Sequence, residues 1–278
     1  MIICILSGKG GAGKTFVACS LARELSRFSK VLLVDADVEC SDASLFFEKK
    51  LATVKRVSGF VPEIDENLCK LCYACAKVCR KNAIFYTPGK IPVIFEELCN
   101  SCGACIIACK QNAIKKKEKK IGEIREYEVG ENLKILEGIL QEGEEEPMPV
   151  VKELLEEVRK HCKKFDFVII DAPPGVKCNA LACIEACNLA IVVAEATAFG
   201  IADAELAIKA CKLLGKEFFI ILNKLREESE IKEFAKAYGE KIACKIPFTT
   251  EILHAYSAGR LPEINEIKLL VEKAVKEK

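Results

Sequence analysis

Several residue types and patterns are scarce or missing in this chain. It has no tryptophan, and Gln111 and Gln141 are its only glutamines, whereas lysine and glutamate abound, a composition that we interpret as thermophilic. Neither charge prevails: 42 Lys and Arg residues stand against 41 Asp and Glu residues, a net charge of +1. No global field therefore attracts nucleic acid or an anionic membrane.

Long apolar runs are missing too. The longest apolar region, around residues 181–202, is interrupted by Glu185 and Glu195 and does not resemble a membrane span. The first residues enter an apolar stretch without a preceding basic segment, which predicts no secretory signal. A helix with an apolar stripe is predicted over 264–275 and is expected to dock onto the protein. We therefore expect a cytoplasmic protein with no nucleic-acid partner and no stable membrane insertion.

Cysteine, by contrast, is abundant. The chain of 278 residues contains 17 cysteines. Because the cytosol keeps thiols reduced, this number indicates metal binding rather than disulfides. The length suits one large domain or two unequal ones.

A glycine-rich stretch lies near the start of the chain. Residues 8–15 read as a glycine, four residues and then Gly-Lys-Thr, the spacing of a phosphate-binding loop. An apolar run over 2–6 predicts a strand before it, and apolar residues at helical spacing predict a helix over 14–25 after it. Backbone N–H groups at such a helix start bind phosphate. The residues expected at the nucleotide are Gly8, Lys9, Gly10, Gly11, Ala12, Gly13, Lys14 and Thr15.

One lysine of this loop indicates a particular group among the proteins with phosphate-binding loops. Lys9 precedes Gly10 and Gly11, so the loop reads Lys-Gly-Gly-x-Gly-Lys-Thr. This resembles the deviant Walker A motif of the MinD/Mrp/ParA and nitrogenase iron-protein ATPases. The resemblance implies ATP/ADP and Mg²⁺ as cofactors and a nucleotide-dependent dimer. It further implies that Lys9 acts on the nucleotide of the other subunit, that Lys14 holds the β- and γ-phosphates, and that Thr15 ligates magnesium.

The resemblance also implies two carboxylate roles. An aspartate after the second predicted strand, over 31–34, orients the attacking water or the magnesium shell in the family, and we assign this role to Asp37. Asp35 and Asp42 remain alternatives, and a structural bond is as well supported for Asp35 as a catalytic role. The apolar strand predicted over 165–170 ends in Asp171, which would hold magnesium through water as a Walker B residue.

Three later residues are implied to contact the nucleotide. The amide of Gly175 would sense the γ-phosphate. Asn223, after a strand predicted over 218–222, would pair with the adenine edge, and Pro247, after a strand over 241–246, would pack on the base. For Asn223 and Pro247, simple turn chemistry is the alternative.

Two cysteine runs share one spacing. Both read Cys-x-x-Cys-x-x-Cys-x-x-x-Cys and lie 30 residues apart, and flanking residues repeat at the same offset, which indicates a duplicated module. The spacing is that of bacterial two-cluster ferredoxins, in which the fourth cysteine of each run ligates the other cluster. We expect one [4Fe–4S] cluster on Cys69, Cys72, Cys75 and Cys109 and a second on Cys99, Cys102, Cys105 and Cys79.

One feature departs from the ferredoxin pattern. Arg80 and Lys110 stand where the proline after each fourth cysteine is usual. Their positive charge would raise the cluster potential or mark a face for partner docking.

Three further cysteines fall on a predicted helix. Cys183 and Cys187, four residues apart, fit a packed face. Cys178 lies seven residues after Asp171, where the nitrogenase iron protein has a cluster-bridging cysteine. The second member of that pair has no counterpart here, so packing is favoured for Cys178 as well.

The fold predicted from these signals is α/β: a mostly parallel P-loop NTPase sheet with helices on both faces and an inserted two-cluster ferredoxin domain. The predicted domains are residues 1–59 and 116–278 for the ATPase and 60–115 for the insertion. A basic run over 115–120 is expected as a solvated exit from the module, followed by a hairpin of residues 126–129 and 133–140. Helices are predicted over 151–161 and 201–214 and a strand over 189–193.

The function predicted is ATP-dependent, dimer-gated electron transfer through two [4Fe–4S] clusters. The dimer would be a homodimer or a heterodimer with a related ATPase, and the sequence does not identify the redox partner. The alternative is an iron–sulfur scaffold or carrier ATPase, as Mrp relatives are. A positioning ATPase for DNA or membrane is the weakest hypothesis, because neither a basic patch nor an anchor is visible.

Overall fold

The protein, a computed structural model, is described over residues 1–227 and 231–276, except for the side chains of 233 and 272–276. Its strands are β1 (Ile2–Leu6), β2 (Val31–Asp35), β3 (Lys50–Ile64), β4 (Ile84–Phe85), β5 (Val93–Ile94), β6 (Ile114–Val129), β7 (Leu133–Leu140), β8 (Phe167–Asp171), β9 (Leu189–Glu195), β10 (Glu217–Leu225) and β11 (Ile242–Pro247). Its helices are α1 (Lys14–Ser26), α2 (Ala74–Val78), α3 (Ala104–Ala108), α4 (Met148–His161), α5 (Cys178–Ala186), α6 (Ala198–Leu213), α7 (Lys232–Tyr238), α8 (Thr250–Ser257) and α9 (Asn265–Lys276).

One large sheet organises the chain. In the described ranges it has nine strands in the order β11-β10-β9-β1-β8-β2-β7-β6-β3. The strands from β11 to β7 pair in parallel, whereas β6 pairs antiparallel with both β7 and β3. The predicted mostly parallel α/β fold and the hairpin of β6 and β7 are therefore confirmed.

Helices cover both faces of this sheet because its central strands are apolar on both sides. Cys4 and Leu6 of β1 point into a core that also contains residues of α4, α5 and α6. Ile3 and Ile5 point to the opposite core, which α1 and α9 complete. The apolar stripe of α9 docks as expected, with Ile267 and Val271 buried against α1 and β11.

The carboxyl ends of three neighbouring strands meet at one edge of the sheet. β1 leads into the glycine-rich loop, β2 ends at Asp35, and β8 ends at Asp171. Asp35 and Asp171 are register partners across β2 and β8. This edge is where open α/β sheets bind ligands.

The basic run over 115–120 leaves the cysteine-rich segment with its lysines exposed or half-buried, as predicted for a solvated exit, but it is also strand, which was not predicted. β6 begins at Ile114, and residues 114–120 pair with β3 from Ile64↔Ile114 to Ser58↔Lys120. The two strands form a ribbon whose lysines over 115–120 are exposed or half-buried, so these side chains stay hydrated while the backbone groups are paired. The predicted boundaries at 60 and 115 therefore fall inside continuous strands.

Residues 65–113, here called the cysteine lobe, form a small unit at the tip of this ribbon. Its residues Cys75, Ile84 and Cys105 form a separate small core with Ile114 of β6. The sequence duplication is also structural: Ile64 pairs with Ile114 in the ribbon as Ile94 pairs with Ile84 in the β4–β5 hairpin, 30 residues away in each case. The two halves are thus related by an approximate twofold axis.

Among the described helices, none has both the length and the apolar content that a bilayer span requires.

Candidate functional site

The glycine-rich loop links β1 to α1 and owes its shape to its glycines. Gly11 and Gly13 have φ angles of 81° and 92°, which L-residues rarely adopt. A Cβ at Gly13 would lie 2.2 Å from Asn223 Nδ2, and one at Gly8 would lie 1.8 Å from the Asp203 carbonyl oxygen. Gly13 is therefore required by both close packing and backbone conformation, and Gly8 by close packing.

A cleft of about 370 Å³ opens beside this loop. It is of the size and mixed polarity that small-molecule sites have. Of the predicted residues, its lining contains Gly10, Gly11, Gly13, Lys14, Thr15, Asp37, Asn223 and Pro247. The Lys14 side chain is buried at this position, at the start of α1.

Asp171 lies beneath the cleft with an unusual environment. Both its carboxylate oxygens are buried and lack a hydrogen-bond partner in the described residues. Burial raises the pKa of Asp171 to about 7, although the nearby Lys14 ammonium lowers it. A fully buried, unpaired carboxylate is costly without a cation or water, so this environment suits a hydrated divalent cation.

The three candidate aspartates after β2 have different environments. Asp35 is fully buried, and its carboxylate accepts hydrogen bonds from the amides of Asp37, Asp42 and Ala43 at 3.0–3.1 Å. Burial is the main cause that raises the pKa of Asp35, and the adjacent Asp171 adds to it. Asp35 thus shapes the loop, whereas Asp37 and Asp42 line the cleft.

Neighbouring cations and hydroxyls of the cleft affect the pKa values of both Asp37 and Asp42. Partial burial raises the pKa of each, whereas the Lys14 ammonium opposes the rise at Asp37. At Asp42 the opposing effect comes first from the Thr15 hydroxyl. Both carboxylates therefore lie near Lys14 and Thr15, at the end of the cleft formed by the glycine-rich loop.

Lys9 is held by carboxylates of its own chain. Its Nζ atom lies 3.6 Å from Glu195 Oε2 at the end of β9 and 3.7 Å from Asp203 Oδ2 in α6. The Lys9 side chain is 36% exposed. Any action on a second subunit requires it to leave this pair of acids.

The Gly175 amide is already used within the chain. Gly175 has a φ angle of 83°, and its N–H donates to the Ser7 carbonyl oxygen at 3.0 Å. This bond joins the loop after β8 to the glycine-rich loop. Sensing of a γ-phosphate by Gly175 would require the bond to break.

Asn223 and Lys224 hold the glycine-rich loop from β10. Asn223 Nδ2 donates to the Ala12 carbonyl oxygen at 2.8 Å, and Lys224 Nζ donates to the Gly11 carbonyl oxygen at 2.7 Å. Lys224 adopts a φ angle of 59°, a strained conformation for a lysine. The sequence did not predict these two hydrogen bonds, because each joins residues more than 200 positions apart.

The far end of the cleft is apolar. Beside Pro247 it is lined by Phe16, Phe248, Ile252, Leu253 and Tyr256, the last three from α8. The Tyr256 ring packs edge-on to Phe16, with centroids 5.9 Å apart. Helix α8 was not predicted, and Pro247-Phe248 was the only sequence signal for this wall.

The cysteine lobe contains two cavities that divide the eight cysteines in the predicted crossed manner. The first cavity is lined by Cys69, Cys72, Cys75 and Cys109. The second, larger cavity is lined by Cys79, Cys99, Cys102 and Cys105. In the described residues, no three His, Cys, Asp or Glu side chains converge closely enough to hold a single metal ion.

Local geometry around the fourth cysteines repeats between the halves. The Ala83 amide donates to Cys79 Sγ and the Ala113 amide to Cys109 Sγ, both at 3.3 Å. Positive φ angles also repeat at an offset of 30 residues, at Leu71, Tyr73 and Asn82 and at Ser101, Gly103 and Asn112. The two runs therefore fold as equivalent loops.

The remaining predicted cysteines lie away from these cavities. Cys183 and Cys187 are buried in the sheet–helix core, in agreement with packing, and Cys4 and Cys211 lie near them. Cys178 is exposed at the start of α5. It is not packed, so the expectation of a packing role was wrong for Cys178.

Comparison with known proteins places the chain in a family. Residues 3–263 match the CbiA family, the CobQ/CobB/MinD/ParA nucleotide binding domain. Two uncharacterised proteins of Methanocaldococcus jannaschii are similar: one is 34% identical over 81% of this chain and 78% of its own, the other 28% identical over 98% and 95%.

Solved structures of low sequence identity share the fold. The cell division ATPase MinD of Pyrococcus furiosus is 20% identical, with a TM-score of 0.61 over 100% of this chain and 99% of its own. The septum site-determining protein MinD of Pyrococcus horikoshii, solved with Mg-ADP, is 20% identical, with a TM-score of 0.57 over 98% and 95%. Because the family match spans nearly the whole chain, this protein belongs to the CobQ/CobB/MinD/ParA nucleotide-binding family.

Proposed function

We propose that this protein is a magnesium-dependent ATPase that forms a nucleotide-gated dimer and couples ATP turnover to electron transfer through two [4Fe–4S] clusters. The observation that carries the proposal is the crossed division of eight cysteines between two cavities, in the same chain as a P-loop cleft.

The cleft suits magnesium and a nucleotide. Lys14 and Thr15 would hold the β- and γ-phosphates and the cation, and the unpaired Asp171 carboxylate would hold the cation through water. Bound magnesium neutralises developing phosphate charge. Asp37 lines the same cleft and would orient the attacking water, while Asp35 keeps its loop in place. Pro247 and the apolar wall from α8 suit an adenine ring.

The cysteine lobe suits clusters rather than single ions. Each cavity has four thiols, and soft thiolates favour iron–sulfur chemistry. A cubane of four irons and four sulfides is wider than one ion, so its ligands need not converge on a point. The amides that donate to Cys79 and Cys109 would stabilise thiolate charge. Such clusters, when bound, carry one electron at a time.

A continuous path of contacts supports coupling between the two sites. The segment after Asp42 contains Ser44, whose hydroxyl donates to Glu137 Oε1 of β7 at 2.7 Å. The Tyr127 hydroxyl of β6 donates to Glu137 Oε2 at 3.1 Å. Glu137 is buried, and β6 continues directly to the lobe. A nucleotide-dependent shift of the loop would therefore act on the ribbon that carries the cysteines.

The dimer would be completed by Lys9, acting on the nucleotide of the other subunit, which is a second copy or a related ATPase. ATP would favour this state by offering Lys9 a phosphate in place of Glu195 and Asp203.

The test uses anaerobically purified protein. Iron and sulfide analysis is expected to give two [4Fe–4S] clusters per chain, and EPR of the reduced protein is expected to change when Mg-ATP is added. Fewer than two clusters, or no uptake of Mg-ATP while Lys14 is intact, would overturn the proposal.

The second candidate function is that of a cluster carrier. Cys72 and Cys102 are exposed, so one thiol at each cavity is accessible to an acceptor protein. Transfer of labelled iron to an apo-acceptor would favour this function, whereas retention of iron through many redox cycles would favour electron transfer.

A further inference from the structure

We propose that the rim of the second cysteine cavity is the docking surface for an acidic electron-transfer protein. The rim is defined by Lys77, Arg80 and Lys81, which line that cavity together with the four cysteines. The inference rests on the proposed function, because it requires a cluster in the cavity, and it identifies the second cavity as the site where electrons enter or leave.

The duplication provides an internal comparison between the cavities. Thirty residues on, Lys77 corresponds to Ile107, Arg80 to Lys110, and Lys81 to Gln111. Of these three counterparts, Gln111 alone lines the first cavity, where Lys70 is the single lining cation among the residues that the structure describes. Equivalent loops therefore present three cations at one cavity and one at the other.

The second cavity has no negative charge to offset these cations. Its lining contains no aspartate or glutamate; apart from the rim and the cysteines it consists of Phe60, Pro62, Val78, Ala83, Ile84, Asn100, Gly103 and Ala104. The four cysteines of this cavity would hold a cluster, and their thiolates would supply negative charge within the cavity.

The rim cations are also free of partners. Within the described residues, no carboxylate pairs with Lys77, Arg80 or Lys81, and all three are exposed. Nearby lysines differ: Lys115 lies 3.4 Å from Asp65, and Lys117 lies 2.9 Å from Glu96. Among the described residues Lys70 and Lys110 also have no carboxylate partner, so the rim is distinguished by the three unpaired cations that line one cavity together.

These features fit a protein partner. Val78 is 40% exposed between the cations and supplies an apolar contact, and the exposed Cys102 brings a cluster ligand to the same surface. A small apolar centre within a charged border is typical of transient protein interfaces. A cationic rim increases the association rate of an acidic partner, because complementary charge steers the encounter.

The test compares a triple variant, Lys77→Glu, Arg80→Glu and Lys81→Glu, with a control at the first cavity, Lys70→Glu and Lys110→Glu. The probe is a reduced bacterial ferredoxin of net negative charge, mixed anaerobically with the oxidised full-length protein in a stopped-flow instrument. At low salt, the second-order rate constant is expected to fall about tenfold or more in the triple variant and much less in the control. The difference is expected to shrink as salt is raised.

Dithionite reduction and iron content distinguish a failure of the docking assignment from a failure of the proposed function. If dithionite reduces two clusters in every variant but the ferredoxin rate constant is equal in the triple variant and the wild type, the docking assignment fails and the proposed function stands. If the wild type contains no second cluster, both fail. Binding of the wild type to duplex DNA or anionic vesicles, lost in the triple variant without a change in reduction rate, would also overturn the assignment.

Discussion

Asp35 and Asp37 lie two residues apart, but their carboxylates have different surroundings. The Asp35 carboxylate accepts hydrogen bonds from three backbone amides, whereas Asp37 faces the cleft. Asp35→Ala is therefore expected to lower the free energy of unfolding by about 2–3 kcal/mol, because it leaves buried amides unpaired. Asp37→Ala is expected to keep stability and ATP binding but to slow turnover.

Urea unfolding and phosphate release measure these two effects. Equal loss of stability in both variants would contradict the division of roles, as would normal turnover in Asp37→Ala.

Asn223 offers a second prediction at this scale. Its amide supports Ala12 of the glycine-rich loop, so Asn223→Ala is expected to weaken binding of ATP and GTP alike, by about tenfold for the loss of one buried hydrogen bond. Fluorescent-nucleotide titration provides the measurement. A loss confined to ATP would instead indicate that Asn223 reads the base.

At this scale, residues whose role depends on local chain conformation could be predicted from the sequence. Residues whose role depends on contacts with distant parts of the chain could not. Residues from Gly8 to Thr15 are recognisable because their spacing itself produces the loop conformation. The supporting role of Asn223, and the acids that hold Lys9, come from β9, β10 and α6, and no local pattern encodes such contacts.

Among the elements, helices with an apolar stripe and buried strands were predictable because burial imposes their period. The ribbon of β3 and β6 was not, since most of its residues over 50–56 and 115–120 are exposed or half-buried and burial does not alternate regularly along either strand. Helix α8 was missed because it is short and contains no fully buried residue.

The buried contacts of Glu137 tie the ribbon to the cleft. Tyr127→Phe removes the hydroxyl that donates to Glu137 Oε2 and is expected to lower the free energy of unfolding by about 1 kcal/mol. In this variant, the change of the EPR signal on addition of Mg-ATP is expected to shrink, while ATP uptake and iron content stay normal. An unchanged EPR response would show that coupling takes another route.

A surface contact also joins the ribbon to α4. Lys55 Nζ of β3 lies 2.5 Å from Glu153 Oε1 and 2.6 Å from Glu157 Oε1. The Lys55 and Lys160 ammonium groups lower the pKa of Glu157 to about 2. This stabilisation is therefore present above the ordinary pKa of a glutamate, 4.5, and is lost as pH falls toward 2.

Glu157→Gln tests this contact. The variant is expected to be less stable than the wild type by about 0.5 kcal/mol at neutral pH, because the ion pair is largely hydrated. The difference is expected to disappear as the pH is lowered below 4.5 toward 2. Urea unfolding across this range provides the measurement, and a pH-independent difference would contradict an ionic origin.

For the whole molecule, substitution of Lys9 is expected to distinguish nucleotide binding from dimer formation. Lys9→Ala is expected to bind Mg-ATP about as well as the wild type but to remain monomeric and inactive, because this side chain does not line the cleft of its own chain. Lys14→Ala, the matched control in the same loop, is expected to lose ATP binding itself. Light scattering with and without Mg-ATP distinguishes them, and a dimer of Lys9→Ala would contradict the proposed role.

The cysteine lobe is inserted at a place where the sheet accepts extra residues with little change to its structure. Gly59 and Lys119 are register partners across the ribbon, so the polypeptide leaves and re-enters the sheet at adjacent points. Excision of everything between them, with a tight turn in its place, would leave an ordinary hairpin on an intact nucleotide-binding body. The cysteine lobe is in this sense a module on the nucleotide-binding body, one that removal or exchange would separate without redesign of the sheet beneath it.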